Sequence, residues 1–350
     1  MPELRQDPAT QEWVIVATER ARRPEDFARP GRSQPPEERA APCPFCPGNE
    51  HLTPPETLAY RRDGQPNGAG WWVRVVPNRF PALVPEGSQD RREEVRLFRR
   101  MDGLGQHEVV IESPDHRGTF CLFDDKQVEE ILLVYRQRYL ELGRQRWARL
   151  IIVFRNQGVA AGTSLVHPHS QIITTSVVPI NLRRKHDIAI RYFDAVGRCL
   201  YCDIVAQERS VGKRIVLETE DFVAFHPFAS GVPFETWIAP LRMQASFAQI
   251  SMDEAKRLAK VLKTVLAKMY YGLNDPDYNF VIDTVPVGDE QKEYYLWHIR
   301  IVPRLTTPAG FEMGSGIFIT TALPEDTAEF MRQVSLDGRP REVQTAGVAG

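Results

Sequence analysis

The feature that most constrains this 350-residue chain is an order of parts that occurs twice. Two C-x-x-C pairs, Cys43-Pro44-Phe45-Cys46 and Cys199-Leu200-Tyr201-Cys202, each open such a segment. The first continues through strand-like Trp71 to Val76, the strand Glu108 to Ile111 and Ser113-Pro114-Asp115-His116. A helix over 125–142 follows, with Val128, Ile131, Leu132, Tyr135, Tyr139 and Leu142 on one face, and then the strand Arg149 to Phe154. The second runs through strands near 214–217, 222–225 and 234–240 to a helix from Ser251 to about Tyr271. Ser251 and Glu254 form a capping box there, and strands at 278–282 and 297–302 end the segment. This predicts a duplication of about 150 residues, with halves at 1–180 and 181–335 and a disordered tail at 336–350. Residues 24–42 and 84–106, rich in Pro, Gly and charge, read as surface loops.

Composition narrows the function classes. Forty-four Lys and Arg against 46 Asp and Glu leave a formal net charge of -2, with no bulk attraction for nucleic acid. No apolar run approaches the roughly 20 residues needed to span a bilayer, and Met1 to Pro8 has no apolar leader core, so the expectation is a cytoplasmic protein without membrane or nucleic-acid partners. In a reducing compartment paired cysteines are metal ligands or redox dithiols more often than disulfides. Cys43 sits between a Pro-rich run and Pro47-Gly48-Asn49, loop chemistry that favours a metal knuckle over a redox dithiol.

The chemistry concentrates in His167-Pro168-His169-Ser170-Gln171. In extended chain residues i and i+2 face the same way, so two imidazoles and an amide line one face. Cys43, Cys46, His116 and His167 make a Cys2His2 set for tetrahedral zinc, closed and structural because protein fills all four positions. His169 is then free as a nucleophile, and a neutral imidazole is suited to attack phosphorus. Gln171 offers an amide to a phosphoryl oxygen, and Gly158 to Ser164 is small enough for backbone N–H groups and the Ser164 hydroxyl to approach a phosphate. Aligning the copies matches His167 with His298, His169 with Arg300 and His116 with Met243, so only the first half is expected to do chemistry.

Together with Trp13 to Val16, Arg20 to Pro24, Asn156-Gln157-Gly158, Pro233 to Thr236 and Gly310 to Met313, this constellation resembles the galactose-1-phosphate uridylyltransferase family of the histidine-triad superfamily. The resemblance implies an α+β, duplicated histidine-triad-like fold: a largely antiparallel sheet, a half-barrel, with helices packed on one side and the first half catalytic. It implies ping-pong transfer of a nucleotide from a nucleotide sugar, through His169, to a sugar 1-phosphate, with no nucleotide cofactor consumed. By position it makes Gln171 and Ser164 phosphate contacts and places Asn78, Phe80, Asn156 and Gly162 at the nucleotide. Phe311 and Glu312 fall near the hexose, and Arg20 and Arg23 reach a partner subunit's nucleotide in a homodimer.

Three departures bear on substrate and metal. Ser170 stands where the family motif has Gly, as in relatives that act as nucleotide-sugar phosphorylases or adenylyltransferases, and Thr307 and Phe318 occupy hexose-contact positions where Lys and Gln are expected. Cys199, Cys202 and His298 suggest a second zinc in place of a histidine-rich iron site, with His226 a candidate fourth ligand. The leading expectation is uridylyl transfer from UDP-glucose to galactose 1-phosphate. An alternative with the same histidine uses an adenine nucleotide sugar and inorganic phosphate, and a third reading is a zinc-stabilised binding protein with a vestigial slot.

Overall fold

A computed structural model describes residues 1–17, 23–28 and 42–336. Arg20 and the tail beyond Leu336, both assigned roles above, lie outside these residues. In chain order the elements are β1 (Glu3–Gln6), β2 (Trp13–Val16), β3 (Leu58–Arg61), β4 (Trp71–Pro77), β5 (Arg92–Val95), β6 (Phe98–Arg100), β7 (Gly105–Ile111), α1 (Asp125–Leu142), β8 (Leu150–Gln157) and β9 (His169–Thr175). They continue as α2 (Ile180–Val196), α3 (Leu200–Val211), β10 (Ile215–Glu218), β11 (Phe222–Phe225), β12 (Thr236–Pro240), α4 (Met252–Gly272), β13 (Tyr278–Asp283), β14 (His298–Pro303), α5 (Gly310–Ser315), β15 (Phe318–Thr320) and α6 (Pro324–Gln333).

Ten strands form one open sheet in the order β10-β11-β12-β14-β13-β8-β9-β7-β4-β3, and every neighbouring pair is antiparallel. The order is a palindrome centred on the β8–β13 pair. That seam is a full ladder, pairing Asn156 with Asn279 and Phe154 with Val281, so the two halves share backbone hydrogen bonds. A small second sheet joins β1, β2 and β15, and β5–β6 is an exposed hairpin inside the stretch read from sequence as loop.

Strand alternation sets the two faces of the main sheet. Val73, Val75, Val110, Ile151, Val153, Ile172, Phe280, Ile282, Ile299 and Ile301 point to one face and pack against α1 and α4. These two helices form where the sequence dictates. Asp124 caps α1 by accepting the Gln127 N–H, and Ser251 with Glu254 makes the anticipated capping box of α4. The stripes from Val128 to Leu142 and from Leu258 to Met269 are fully buried.

The opposite face differs between the halves. Over β11, β12 and β14 it is covered by α2 and α3, whose Ile188, Ala189, Leu200, Tyr201 and Val205 pack on Val223, Phe225, Trp237 and Ala239. Over β7, β8 and β9 the face is open at Gln171, Phe154 and Asn156, which are only partly buried. Helices thus lie on one side of the first half, as expected, and on both sides of the second.

Candidate active site

The first C-x-x-C pair is held as a knuckle by the protein's own hydrogen bonds. Cys46 N–H donates to the Cys43 carbonyl at 3.3 Å, and the Asn49 side chain donates to the same oxygen at 2.8 Å. Glu50 accepts from Gly48 N–H and, at 2.8 Å, from the Trp71 indole, pinning the knuckle to β4. His116 arrives on the turn after β7, where Ser113 Oγ accepts the Asp115 N–H. Cys46 Sγ lies 3.3 Å from His116 Nδ1 and 3.6 Å from His167 Nδ1, and Cys43 Sγ lies 3.8 Å from His167 Nδ1.

All four donor atoms fall within 4.8 Å of one another, forming a set that can bind a metal ion. His167 Nε2 donates to the Ser113 carbonyl at 2.7 Å, which leaves the Nδ1 lone pair facing the sulfurs. Burial pulls the His167 pKa down to about 4, so the ring is neutral as a ligand must be. Burial and the neighbouring Cys43 sulfur push the Cys46 thiol up to about 11.

His169 is the first residue of β9 and is 6% exposed. Its Nδ1–H donates to the His167 carbonyl at 2.8 Å, so Nε2 keeps its lone pair. Burial lowers the ring's pKa, opposed by that bond and by Glu112. Phe45, inside the cysteine knuckle, stands edge-on to both His169 (5.4 Å between centroids) and His167 (6.1 Å). The knuckle and His169 are therefore one packed unit.

Two amides flank His169 on the open face. Gln171 Oε1 lies 2.7 Å from His107 Nε2. Asn156 Oδ1 accepts from Asn279 Nδ2 at 2.8 Å, and Asn279 Oδ1 in turn accepts from Arg304 Nε at 2.5 Å. Each amide is held by its oxygen, leaving its NH2 group to donate to an anion. His107, Asn279 and Arg304 are missed by the sequence reading, because the sheet brings them to the site from β7, β13 and just past β14, and none of the three belongs to a motif.

Ser170 points the other way. It is fully buried on the α1 side, 2.7 Å from the Tyr135 hydroxyl, which also reaches Glu112 at 3.2 Å. Glu112 pairs with Arg155 Nε at 3.0 Å beneath β9. The residue that marked the substrate as open thus lies across the sheet from His169, as strand alternation requires.

The loop after β8 is a 3-10 turn, Val159–Ala161, between Gly158 (φ 86°) and Gly162 (φ 87°). Ala160 N–H donates to Asp277 at 2.6 Å, and a Cβ on Gly158 would fall 1.7 Å from an Asp277 oxygen. Gly162 and Ser164 are exposed on this loop. Asn78 follows β4, with its Oδ1 accepting from Phe80 N–H, and Phe80 is 83% exposed. Arg23 is exposed before a 3-10 turn.

Beside Asn156 opens a cavity of about 440 Å³, lined by Asn279, Arg300, Arg304, Thr307, Glu312 and Phe318 among others. Glu312 also closes α5 by accepting the Ala309 N–H, and Phe311 is half exposed on that helix. The two positions that depart from the expected hexose contacts, Thr307 and Phe318, both face this cavity.

The proposed second metal set does not come together. Among the described residues the only grouped set is the Cys43 one. Cys199 caps α3 by accepting the Cys202 N–H at 3.2 Å. The His298 ring is stacked on Trp237 at 4.3 Å and on Tyr201 at 5.4 Å, and its Nε2 faces Asp283 at 3.4 Å. Burial would raise the Asp283 carboxyl, but Lys185, His298 and Arg300 hold it well below the usual carboxylate range. The positive charge at this point comes from side chains. His226 is elsewhere, fully buried with its Nδ1 2.7 Å from Thr327 Oγ1, and burial lowers it to about 3.

The ladders also revise the alignment of the halves. Phe154 and Val281 stand equally far in sequence from the helix caps Asp124 and Ser251; Phe154 pairs with Gln171 and Val281 with Arg300. Arg300 is therefore the counterpart of Gln171, and His298 of His169. The parallel extends to the Nδ1 of His298, 3.3 Å from the carbonyl two residues back. What separates the halves is access, because α3 lays Tyr201 over His298 while His169 faces the open sheet.

The comparisons agree with this geometry. The family model for the N-terminal domain of galactose-1-phosphate uridyl transferase matches residues 1–179. ADP-glucose phosphorylase from Arabidopsis thaliana is 38% identical over 96% of this chain and 93% of its own length. Galactose-1-phosphate uridylyltransferase from Thermotoga maritima is 28% identical over 96% of this chain and all of its own. A crystal structure of the Arabidopsis ADP-glucose phosphorylase with bound ADP-glucose aligns at a TM-score of 0.79 and 34% identity, covering 96% of this chain and 100% of that one. Fold, site and relatives together define an enzyme. The chain belongs to the galactose-1-phosphate uridylyltransferase family.

Proposed function

We propose that this enzyme moves a nucleotidyl group from a nucleotide sugar to a phosphate acceptor through a covalent nucleotidyl-His169. The observation that carries this reading is His169 itself, with Nδ1–H spent on the His167 carbonyl and Nε2 bare beside two amides anchored by their oxygens. Nε2 attacks the α-phosphorus, a P–N bond forms, and the bond to the bridging oxygen breaks, releasing sugar 1-phosphate. An acceptor phosphate oxygen then attacks the same phosphorus and returns the histidine. The NH2 groups of Gln171 and Asn156 stabilise charge on the phosphoryl oxygens, assisted by Ser164 and the N–H groups of the Gly158–Gly162 turn. Asn78, Phe80 and Gly162 serve the nucleotide, Phe311 and Glu312 the sugar, and Arg23 a neighbouring subunit of a homodimer.

Zinc suits the Cys43, Cys46, His116 and His167 set, two thiolates and two neutral imidazoles; bound there it supplies a structural cross-link with no open position. On the family's pattern the donor is UDP-glucose and the acceptor galactose 1-phosphate. A second reading, ADP-glucose with inorganic phosphate as acceptor, is favoured by the 38% identity to the Arabidopsis phosphorylase and by Thr307 and Phe318 in the cavity wall. Incubation with each sugar nucleotide followed by intact-mass measurement separates them: the true donor adds one nucleotide to the wild type and none to His169→Ala. Absence of labelling by every donor tried would overturn the transferase reading.

A further inference from the structure

We propose that His107 is a positioning residue that fixes the side-chain amide of Gln171, an inference that rests on the nucleotidyl transfer proposed above. His107 lies on β7, where it pairs with Ile173 of β9, so its ring stands diagonally across the ladder from Gln171 on the same face. It is 9% exposed, set behind Gln171. Its Nδ1 lies 3.2 Å from the Ala82 amide nitrogen. A backbone N–H only donates, so Nδ1 accepts, and a neutral ring then carries its proton on Nε2. That proton points at Gln171 Oε1, 2.7 Å away.

The consequence is directional. A glutamine amide free to turn presents oxygen or nitrogen to a phosphoryl group, and only nitrogen stabilises the charge that builds there. With its oxygen held by His107, Gln171 turns its NH2 group outward. The same ring ties this amide to the segment after β4. The Asn78 N–H donates to the His107 carbonyl at 2.8 Å, while Ala82 is held by Nδ1. The Asn78 side-chain nitrogen also lies 3.1 Å from Nε2, which cannot accept from it while carrying the proton given to Gln171 at the shorter distance.

Two substitutions take the junction apart. In His107→Asn the amide oxygen reaches the position of Nδ1 and still accepts from Ala82, but nothing reaches Gln171. In His107→Gln the amide nitrogen reaches the position of Nε2 and restores the bond to Gln171. Single-turnover labelling of His169, with whichever sugar nucleotide labels the wild type, is expected to slow about 30-fold in His107→Asn with donor affinity within about threefold. It is expected to stay within about threefold of wild type in His107→Gln. His107→Asn combined with Gln171→Leu should be no slower than Gln171→Leu alone. Wild-type rates in His107→Asn, or multiplying effects in the double variant, would overturn the proposal. Imidazole 15N NMR of the free enzyme, assigned by the signal lost in His107→Asn, tests it without any donor. An Nε2–H tautomer is expected, and an Nδ1–H tautomer rejects it even where no sugar nucleotide labels the protein.

Discussion

Burial of His169 fixes the direction of a pH effect. The charged ring loses solvation inside the protein, so its folded pKa lies below the ordinary value near 6.5. A nucleophile with a lowered pKa stays neutral and competent from high pH down through 6.5, and is lost only as pH falls through the lower folded value. The acid limb of the labelling rate is therefore expected below about pH 6.5, read by single-turnover rates across a pH series. A limb centred at or above that value would mean that Glu112 and the His167 carbonyl outweigh burial. Ser170 sits on the far side of the same strand, bonded to Tyr135. Ser170→Gly is accordingly expected to leave the ratio of UDP-glucose to ADP-glucose labelling within about threefold while costing about 1 kcal/mol of stability for the lost hydrogen bond. Thermal unfolding and competition labelling measure both. At this scale the knuckle cysteines, His116, His167, His169 and Gln171 were legible because the sequence states their spacing. His107, Asn279 and Arg304 were not, because only the strand order puts them beside those residues. Ser170 faces α1 and not the open side of the sheet, a placement that its letter in the motif does not state.

At the scale of elements, both long sheet-facing helices could be read from apolar stripes and caps, and the capping box at Ser251 formed as anticipated. The pair α2 and α3 has no signal in the sequence as plain as these, and it is α3 that lays Tyr201 over His298. A histidine packed against Trp237 and Tyr201 has the sequence signature of a ligand and the environment of a core residue. The turn between β8 and β9 depends on one glycine. Gly158 has φ 86°, and a methyl group there would collide with Asp277 at the seam. Gly158→Ala combines backbone strain with that collision and is expected to destabilise by more than about 1 kcal/mol, seen in a denaturant titration, and to slow labelling because Ala160 N–H loses its anchor.

For the molecule as a whole, the described residues supply one closed donor set, so metal analysis is expected to return about one zinc per chain. A value near two would restore the Cys199, Cys202 and His298 set. Stripping the metal with a chelator, or Cys43→Ser, is expected to lower the melting temperature and the labelling rate together. Phe45 and the His167 carbonyl hold His169 from the same knuckle, so the tether and the hold on His169 fail as one. Calorimetry and intact-mass labelling on the same sample check the coupling.

The seam between β8 and β13 has a consequence for synthesis. The five strands that the first half gives to the main sheet are all made once Thr175 has left the ribosome, yet β8 stays without an outer neighbour until Tyr278 to Asp283 follow. At ordinary elongation rates those roughly 100 residues take on the order of 5–20 s. During that interval the chain offers a bare strand whose first five residues, Leu150 to Phe154, carry no charge, which is the kind of edge that another nascent copy can pair with. The junction that lends the finished enzyme Asn279 beside Asn156 is, while translation runs, its most exposed liability.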